Sequence, residues 1–213
     1  IFGGGARLSK ILNSKEFRDL SKSYDLILDK TKNNSGLNSS IYFNEKKLFK
    51  RNYDLGIVCN YSKIISEKIL KIPNLGFINF HGGKIPSYRG GSPLVWQMIN
   101  GEKKIFISAI KMAKGIDKGN LLAEKSFILK KNYEIKDVLK KSNELFPKLF
   151  NTAVKNLLKN KSVNIIKRKE KYYHQRSVND SNISVTNSSS NKINRFVKAL
   201  QPPYPLVKIK TLD

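Results

Sequence analysis

Short apolar runs alternate with stretches of helical periodicity in the amino-terminal part of the chain, and this alternation restricts the fold more than any other feature. The predicted elements are strands at residues 1–3, 24–28, 54–59 and 75–79, helices at residues 8–21, 45–51 and 63–70, and a loop at residues 30–40. Parallel strands need a long crossover connection, which is usually a helix. The sequence therefore predicts an α/β protein with a Rossmann-like, mostly parallel sheet.

The rest of the chain is predicted to complete this domain and then to change character. Two more strands are expected at residues 105–111 and 121–129, and a long helix, kinked at Pro147, at residues 134–160. Residues 177–191 are mostly Ser and Asn, with too little apolar surface to fold alone. We therefore predict an α/β domain at residues 1–165 and a short C-terminal extension at residues 166–213, with a Ser/Asn-rich linker and a Pro-rich segment.

Composition excludes several classes of protein. The chain has 213 residues, 39% of them hydrophobic, and no apolar run is long enough to cross a membrane. The single Cys59 excludes a disulfide framework and a cysteine-based zinc site, and two histidines with few clustered acids offer no metal site. With no charged-then-apolar leader at the start, a cytoplasmic location is the expectation.

Several chemically special residues lie where the run at residues 75–79 ends. Asn79 and His81 are two positions apart, so on a strand their side chains point to the same face. Ligands of open α/β sheets bind beyond the carboxyl ends of the strands, and Gly82 and Gly83 let the backbone approach a ligand. Taken alone, this pattern is weak evidence for a site, because in most unrelated sequences two such polar residues satisfy loose backbone groups.

In the wider segment, three further motifs follow this Asn-x-His strand end in a fixed order. The strand end is Asn79-Phe80-His81, and it is followed by a Pro-x-Tyr-Arg-Gly loop, Ile85-Pro86-Ser87-Tyr88-Arg89-Gly90. Next comes a Pro-x-x-Trp helix, Pro93-Leu94-Val95-Trp96, which closes in Asn100-Gly101-Glu102. The last motif is a Gly-Ile-Asp-x-Gly turn, Gly115-Ile116-Asp117-Lys118-Gly119. This set resembles the signature of the N10-formyltetrahydrofolate-dependent formyltransferases. Residues 195–205 resemble the second signature of that family, although Leu206 and Val207 replace its Gly-Ala.

The resemblance implies the fold of a formyltransferase catalytic domain and three catalytic residues. His81 is implied as the general acid or cationic donor to the oxyanion, and Asn79 as a second donor to it. Asp117 is implied to orient His81 and to accept the proton of the attacking amine. The implied formyl donor is N10-formyltetrahydrofolate, which lies against Asn60 and Tyr61 and against the residues from Met112 to Ile116, Gly115 among them.

The resemblance also bears on the amine that accepts the formyl group. Lys84, Tyr88, Arg89 and Trp96 are implied on the acceptor side, and Gly83, where many members have Ser, resembles a branch acting on nucleotide-linked amino sugars. The methionyl-tRNA branch carries a further C-terminal barrel, for which the eight residues after Pro205 are too few.

We therefore expect a nucleotide-linked amino sugar first and initiator methionyl-tRNA second. Glycinamide ribonucleotide, or hydrolysis of the folate, ranks third. A non-catalytic binding protein of the same fold is the alternative from another class. The oligomeric state stays open, a homodimer included.

The formal net charge of +25 has two interpretations. A polyanionic partner such as tRNA or a nucleotide is one of them. The other is codon bias, because lysine far outnumbers arginine and is spread along the whole chain. We favour codon bias for most lysines, with a minority serving an anionic substrate.

Two remaining patterns carry less weight. Gly3, Gly4 and Gly5 follow a strand and precede a helix, but Leu8 replaces the third glycine of a dinucleotide fingerprint, so they predict a tight turn even though Asp29 could bind a ribose. His174 has aromatic and basic neighbours that fit a nucleotide, and it fits a surface strand equally well.

Overall fold

The structure is a computed structural model that describes residues 1–35, 37, 45–165 and 168–210. Its chain forms two compact units. The first unit comprises Ile1–His81, Ser108–Lys125 and Asn143–Ile166, and the second comprises Gly82–Ile107, Ser126–Ser142 and Lys167–Asp213. Both units are discontinuous in sequence, and the predicted division between residues 165 and 166 stays a prediction.

The described residues contain ten strands and seven α-helices. The strands are β1 (Phe2–Gly3), β2 (Ile27–Leu28), β3 (Gly56–Cys59), β4 (Phe77–His81), β5 (Arg89–Gly90), β6 (Lys104–Met112), β7 (Gly119–Ile128), β8 (Tyr172–Tyr173), β9 (Asn182–Ser184) and β10 (Lys208–Lys210). The helices are α1 (Gly5–Leu12), α2 (Lys15–Leu20), α3 (Glu45–Leu48), α4 (Glu67–Leu70), α5 (Pro93–Ile99), α6 (Ile135–Leu158) and α7 (Ser190–Ala199).

The largest sheet has six strands in the order β2-β1-β3-β4-β6-β7. The pairs β1–β2, β1–β3 and β3–β4 are parallel, whereas β6 runs antiparallel to β4. The predicted α/β fold with a mostly parallel sheet is therefore confirmed. The antiparallel edge was not foreseen, because strand order and direction are set by tertiary packing rather than by local pattern.

Apolar side chains hold the first unit together on both sides of β4. Phe77 belongs to a buried cluster with residues of β1, β2 and β3. Phe80, three positions on, packs its ring against Phe146 and Phe150 of α6, with centroid distances of 6.5 and 5.9 Å. Asn79 lies between these two apolar positions and faces the other groups of the site described below.

Two predicted helices differ from the structure. Residues 8–21 belong to two helices: the first ends at Leu12 with Asn13 as its C-cap, and Ser14 is the N-cap of the second, its Oγ accepting a hydrogen bond from the Phe17 N–H at 3.2 Å. In the predicted helix at residues 63–70, only Glu67–Leu70 is helical, with Ser66 as its N-cap. The long helix is confirmed and runs through Pro147 without a break. Of the predicted loop at residues 30–40, residues 36 and 38–40 lie outside the described part of the chain.

The second unit contains two small sheets, β5–β8 and β9–β10, both parallel. The Ser/Asn-rich segment is not a plain linker, since it forms a 3-10 turn at Asn179–Ser181 and then β9. Buried Ile183 and the pairing with β10 supply the partners that this polar segment could not provide itself. No helix in the described ranges has the length and apolar character needed to cross a membrane.

Candidate active site

Asn79, His81 and Asp117 lie together in the first unit, as the sequence predicted. The Asn79 Nδ2 donates a hydrogen bond to Asp117 Oδ1 at 2.9 Å, and His81 Nδ1 lies 3.4 Å from Asp117 Oδ2. The side chains of His81 and Asp117 are only 7% and 9% exposed. A carboxylate thus joins an amide and an imidazole that project from the same face of β4.

The register shows how Asp117 reaches this position. Because β6 is antiparallel to β4, with Ile78 opposite Lys111, the connection that carries Asp117 leaves the sheet beside the beginning of β4 rather than beside His81. Asp117 has a φ of +48°, a left-handed conformation that Asp tolerates better than most residues. At Gly119, a Cβ would lie 1.9 Å from the Lys111 carbonyl oxygen, so only glycine closes this turn.

These contacts define what the group can do chemically. With Nδ1 directed at Asp117, the imidazole ring of His81 is oriented by the carboxylate, and its other ring nitrogen is Nε2. Asn79 uses one amide hydrogen on Asp117 and keeps a second for another acceptor. The distance of 3.4 Å between His81 and Asp117 is longer than a strong hydrogen bond, and such contacts often tighten only with substrate bound.

The five residues predicted to hold the folate all lie in the first unit. Asn60 follows β3 with a φ of +56°, and its Nδ2 donates to the Gly4 carbonyl oxygen at 3.1 Å. Tyr61 and Met112 pack against the same apolar cluster, although they are 51 positions apart. Gly115, with a φ of +107°, and half-exposed Ile116 belong to the connection that carries Asp117. Their role in folate binding stays a prediction.

The glycine turn before α1 is occupied by the chain itself. Asn34 Oδ1 accepts a hydrogen bond from the Gly5 N–H at 3.1 Å, and a Cβ on Gly4 would lie 2.5 Å from that oxygen. Buried Asp29 accepts hydrogen bonds from the Thr31 and Ser62 main-chain N–H groups at 3.0 and 2.6 Å. Burial alone would raise the pKa of Asp29, but these hydrogen bonds outweigh it and hold that pKa at about 2.

The loop at residues 85–91 carries Tyr88 and Arg89, two of the four predicted acceptor residues, and lies in the second unit. Main-chain hydrogen bonds attach it to residues of the C-terminal extension: Lys171 N–H to the Pro86 oxygen at 3.1 Å, Arg89 N–H to the Lys171 oxygen at 3.1 Å and Gly91 N–H to the Tyr173 oxygen at 2.9 Å. The contact is so close that a Cβ on Gly90 would lie 2.0 Å from the Tyr173 oxygen. The main chain of the C-terminal extension therefore holds this loop in position.

Tyr88 is buried, and its hydroxyl is bonded within the protein. It donates to Glu102 Oε1 at 2.6 Å and accepts from Asn100 Nδ2 at 3.2 Å. Burial, and then the bond to Glu102, raises the pKa of Tyr88 well above its usual range. The same Asn100 amide donates to the Tyr173 hydroxyl at 2.7 Å, and the rings of Tyr88 and Tyr173 stack at 5.1 Å. Asn100 and Glu102 of the Asn-Gly-Glu motif thus hold the Tyr88 hydroxyl in position.

Trp96 lies among residues of the C-terminal extension. Its ring is 5.2 Å from the Tyr173 ring and 5.3 Å from the His174 ring, and the Arg176 guanidinium lies 4.9 Å from its centroid. His174 Nε2 is 2.7 Å from Asp180 Oδ1. The hydrogen bond from the Ser177 N–H, opposed by partial burial and helped by His174, lowers the pKa of Asp180 to about 2.

The two remaining predicted acceptor residues differ in exposure. Arg89 is buried and forms an ion pair with Glu170, whose side chain is 61% exposed. Lys84 places its Nζ 4.6 Å from the centroid of the Phe106 ring.

Gln97, which the sequence did not single out, is fully buried in α5. Its amide nitrogen donates to the carbonyl oxygens of Gly82, Pro93 and Phe106, and its oxygen accepts from the Phe106 N–H at 2.8 Å. The one available signal was a polar residue in the otherwise apolar helix from Pro93 to Ile99. Tyr173 was missed for a different reason, since β8 has only two residues and no recognisable strand pattern.

In the described part of the chain, no cluster of three or more His, Cys, Asp or Glu side chains could hold a metal ion. The candidate site is a small polar group, formed by Asn79 and His81 on β4 and by Asp117 in the turn before β7.

Comparison with known families gives a match over residues 30–154 to the model described as formyl transferase. The chain belongs to the formyl transferase family. The region matched includes all three residues of the polar group.

Formyl transferase relatives of different names resemble the chain. The bifunctional polymyxin resistance protein ArnA of Wigglesworthia glossinidia brevipalpis is 38% identical over 147 residues, which are 68% of this chain and 22% of that protein. A methionyl-tRNA formyltransferase of Prochlorococcus marinus is 32% identical over 158 residues, 70% of this chain and 48% of that protein. The chain thus spans less than half the length of these two curated relatives.

A solved structure is similar along almost the whole chain. It is the N-formyltransferase of Helicobacter canadensis in complex with folinic acid and dTDP-3-aminofucose, with a TM-score of 0.72 and 16% identity, covering 98% of this chain and 83% of that one. At this identity, the similarity establishes the fold alone, and it agrees with the mostly parallel α/β sheet described above.

Proposed function

We propose that the protein transfers the formyl group of N10-formyltetrahydrofolate to a primary amine. The observation that carries this proposal is the contact of Asp117 with both Asn79 and His81 in a member of the formyl transferase family. The folate is assigned to the first unit, at Asn60, Tyr61, Met112, Gly115 and Ile116.

The reaction follows from what each group can donate or accept. The neutral amine attacks the formyl carbon, and the carbonyl oxygen becomes an oxyanion that accepts hydrogen bonds from His81 Nε2 and the free Asn79 amide hydrogen. Asp117 takes the proton lost by the amine, directly or through a water molecule. His81 protonates N10 of the folate as the bond from the formyl carbon to N10 breaks, so charge and protons balance.

The preferred acceptor is a nucleotide-linked amino sugar. Gly83 after the histidine, in place of Ser, supports this choice, and Arg89 offers a guanidinium for a phosphate. Initiator methionyl-tRNA is the second candidate, favoured by the 32% identity to a methionyl-tRNA formyltransferase. A non-catalytic binding protein of this fold is disfavoured, because binding alone has no use for an amide, an imidazole and a carboxylate in mutual contact.

A direct assay separates these candidates. Purified protein is incubated with N10-formyltetrahydrofolate and either amino-sugar nucleotides or charged initiator tRNA, and formylated product is detected by mass spectrometry. We expect product with an amino-sugar nucleotide and a shallow dependence of KM on salt. Efficient formylation of methionyl-tRNA, with a slope in the log–log salt plot of about one per phosphate contact, would reverse the order of the two acceptors.

A further inference from the structure

Arg89 and Glu170 form an ion pair between unequal partners. The side chain of Arg89 is 9% exposed and that of Glu170 is 61% exposed. Arg89 belongs to the signature loop, whereas Glu170 belongs to the C-terminal extension. A buried guanidinium needs an anionic partner far more than a solvated carboxylate needs a cation, so another anion could take the place of Glu170 at little cost.

The main chain around this pair does not depend on the Glu170 carboxylate. The Arg89 N–H donates to the Lys171 oxygen and the Lys171 N–H donates to the Pro86 oxygen, both at 3.1 Å. The Ser87 hydroxyl donates to the Lys169 oxygen at 2.9 Å. Removing the carboxylate alone therefore leaves the backbone on both sides of the pair in place.

Cations surround Glu170 in the sequence. Arg168, Lys169 and Lys171 are its neighbours, and the Arg168 guanidinium donates to the Ile85 oxygen at 2.9 Å. When the Glu170 carboxylate leaves Arg89, this segment presents a concentration of positive charge, which attracts an anionic group.

We propose that Glu170 is a built-in competitor that occupies Arg89 in the free protein and is displaced by a phosphate of the acceptor. Only the identity of the acceptor rests on the proposed function. A phosphate replaces the carboxylate because both can accept parallel hydrogen bonds from the guanidinium fork, and the phosphate carries more charge. The displaced carboxylate returns to water.

The test is the affinity of Glu170→Gln protein for UDP, dTDP and inorganic pyrophosphate. Binding is followed by calorimetry and by the fluorescence of Trp96, the single tryptophan of the chain. Because an exposed ion pair is worth little, we expect Kd to decrease by about two- to fivefold. Arg89→Lys should increase Kd, because lysine lacks the planar fork. The matched control is Glu67→Gln: Glu67 is 59% exposed, pairs with Lys114 at 2.9 Å and lies in the first unit, and its Kd should equal that of the wild type.

Unchanged or weaker binding by Glu170→Gln, with an unfolding midpoint like that of the wild type, would overturn the proposal, because Glu170 would then position Arg89 or be uninvolved. Tighter binding of tRNA in the absence of any effect on pyrophosphate and the nucleotides would also overturn it. The measurement needs no formyl donor. Tightening together with failure to formylate any amine would thus refute the proposed function and leave this inference standing.

Discussion

In the first unit, Asn79, His81 and Asp117 are brought together by contacts between their side chains, whereas in the second unit the loop at residues 85–91 is held by backbone pairing. Asn79, His81 and Asp117 need only one strand and one turn to meet. The loop at residues 85–91 is instead held by the distant strand β8 through main-chain hydrogen bonds. The difference suggests that substitutions in the first unit act on chemistry, and that substitutions in the second act on the position of a loop.

The largest expected effect tests the first half of this comparison. His81→Ala and Asp117→Asn should each reduce kcat by about 10²- to 10⁴-fold, since in the proposed reaction each removes a proton-transfer group or its partner. Binding of folinic acid, measured by titration, and the unfolding midpoint serve as controls and should change little. A kcat within tenfold of the wild type in either variant would mean that the catalytic group lies elsewhere.

The second prediction compares two glycines with positive φ, one in each unit. Gly90→Ala brings a Cβ to 2.0 Å from the Tyr173 oxygen at a φ of +94°, and should reduce the free energy of unfolding by about 2–4 kcal/mol. Gly76, at a φ of +74°, has only the end of the Lys111 side chain within 4 Å, so Gly76→Ala should cost only the conformational term of about 1–2 kcal/mol. Urea unfolding measures both. Equal costs would show that the loop can move away from β8.

The third prediction concerns how the contribution of Asp29 to stability depends on pH; this residue lies in the first unit, apart from Asn79, His81 and Asp117. Asp29→Asn should reduce the free energy of unfolding by about 1–3 kcal/mol at pH 7, because the carboxylate accepts charge-assisted hydrogen bonds. The pKa of Asp29 is about 2 in the folded chain, below the value near 4 of an unfolded aspartate, so its stabilising contribution is full above pH 4 and is lost as the pH falls towards 2. The gap between variant and wild type should therefore close on acidification.

Exposed Asp19 supplies the control for this experiment. Asp19→Asn should change the unfolding free energy by less than about 0.5 kcal/mol at any pH, as is usual for surface positions. A gap for Asp29→Asn that is independent of pH would contradict the assignment of Asp29 as the stabilising carboxylate.

The smallest expected effect separates side-chain from backbone support in the second unit. Asn100→Ala removes the hydrogen bonds to Tyr88 and Tyr173 and should lower stability by about 1–2 kcal/mol. Tyr173→Phe removes one of them and should cost about half as much. If β5–β8 pairing rather than this amide holds the loop, KM for the acceptor should change less in Asn100→Ala than in Gly90→Ala. A larger change of KM in Asn100→Ala than in Gly90→Ala would show that side-chain hydrogen bonds, and not β5–β8 pairing, hold the loop.

The sequence predicted the first unit better than the second, for physical reasons. Asn79 and His81 fall on one face because strand periodicity is local, and the resemblance supplied Asp117. Nothing local indicated that β6 runs antiparallel to β4, and so the route by which Asp117 arrives was not foreseen. The capping role of Ser14 was also missed, because one polar residue does not visibly interrupt helical spacing.

In the second unit, most of the structure depends on pairings between residues far apart in sequence. The resemblance identified Tyr88, Arg89 and Trp96. Their contact partners, which are Tyr173, Glu170 and His174 respectively, lie about 80 positions later in the sequence, where no local pattern could indicate them. The Ser/Asn-rich segment misled in the same way, because its order comes from β10 and not from its own composition.

Gln97 has a consequence for how this protein can change over generations. The two hydrogens of its amide nitrogen are shared among three carbonyl oxygens and its oxygen accepts from one N–H, and one of those carbonyls is that of Gly82, the residue directly after His81. Glutamate would lose the donors and bring a charge into a buried place, and leucine would remove every one of these side-chain hydrogen bonds. Among the seven residues of α5, position 97 should therefore accept the fewest substitutions in a saturation library, although it is chemically silent and every neighbour looks more important in the sequence.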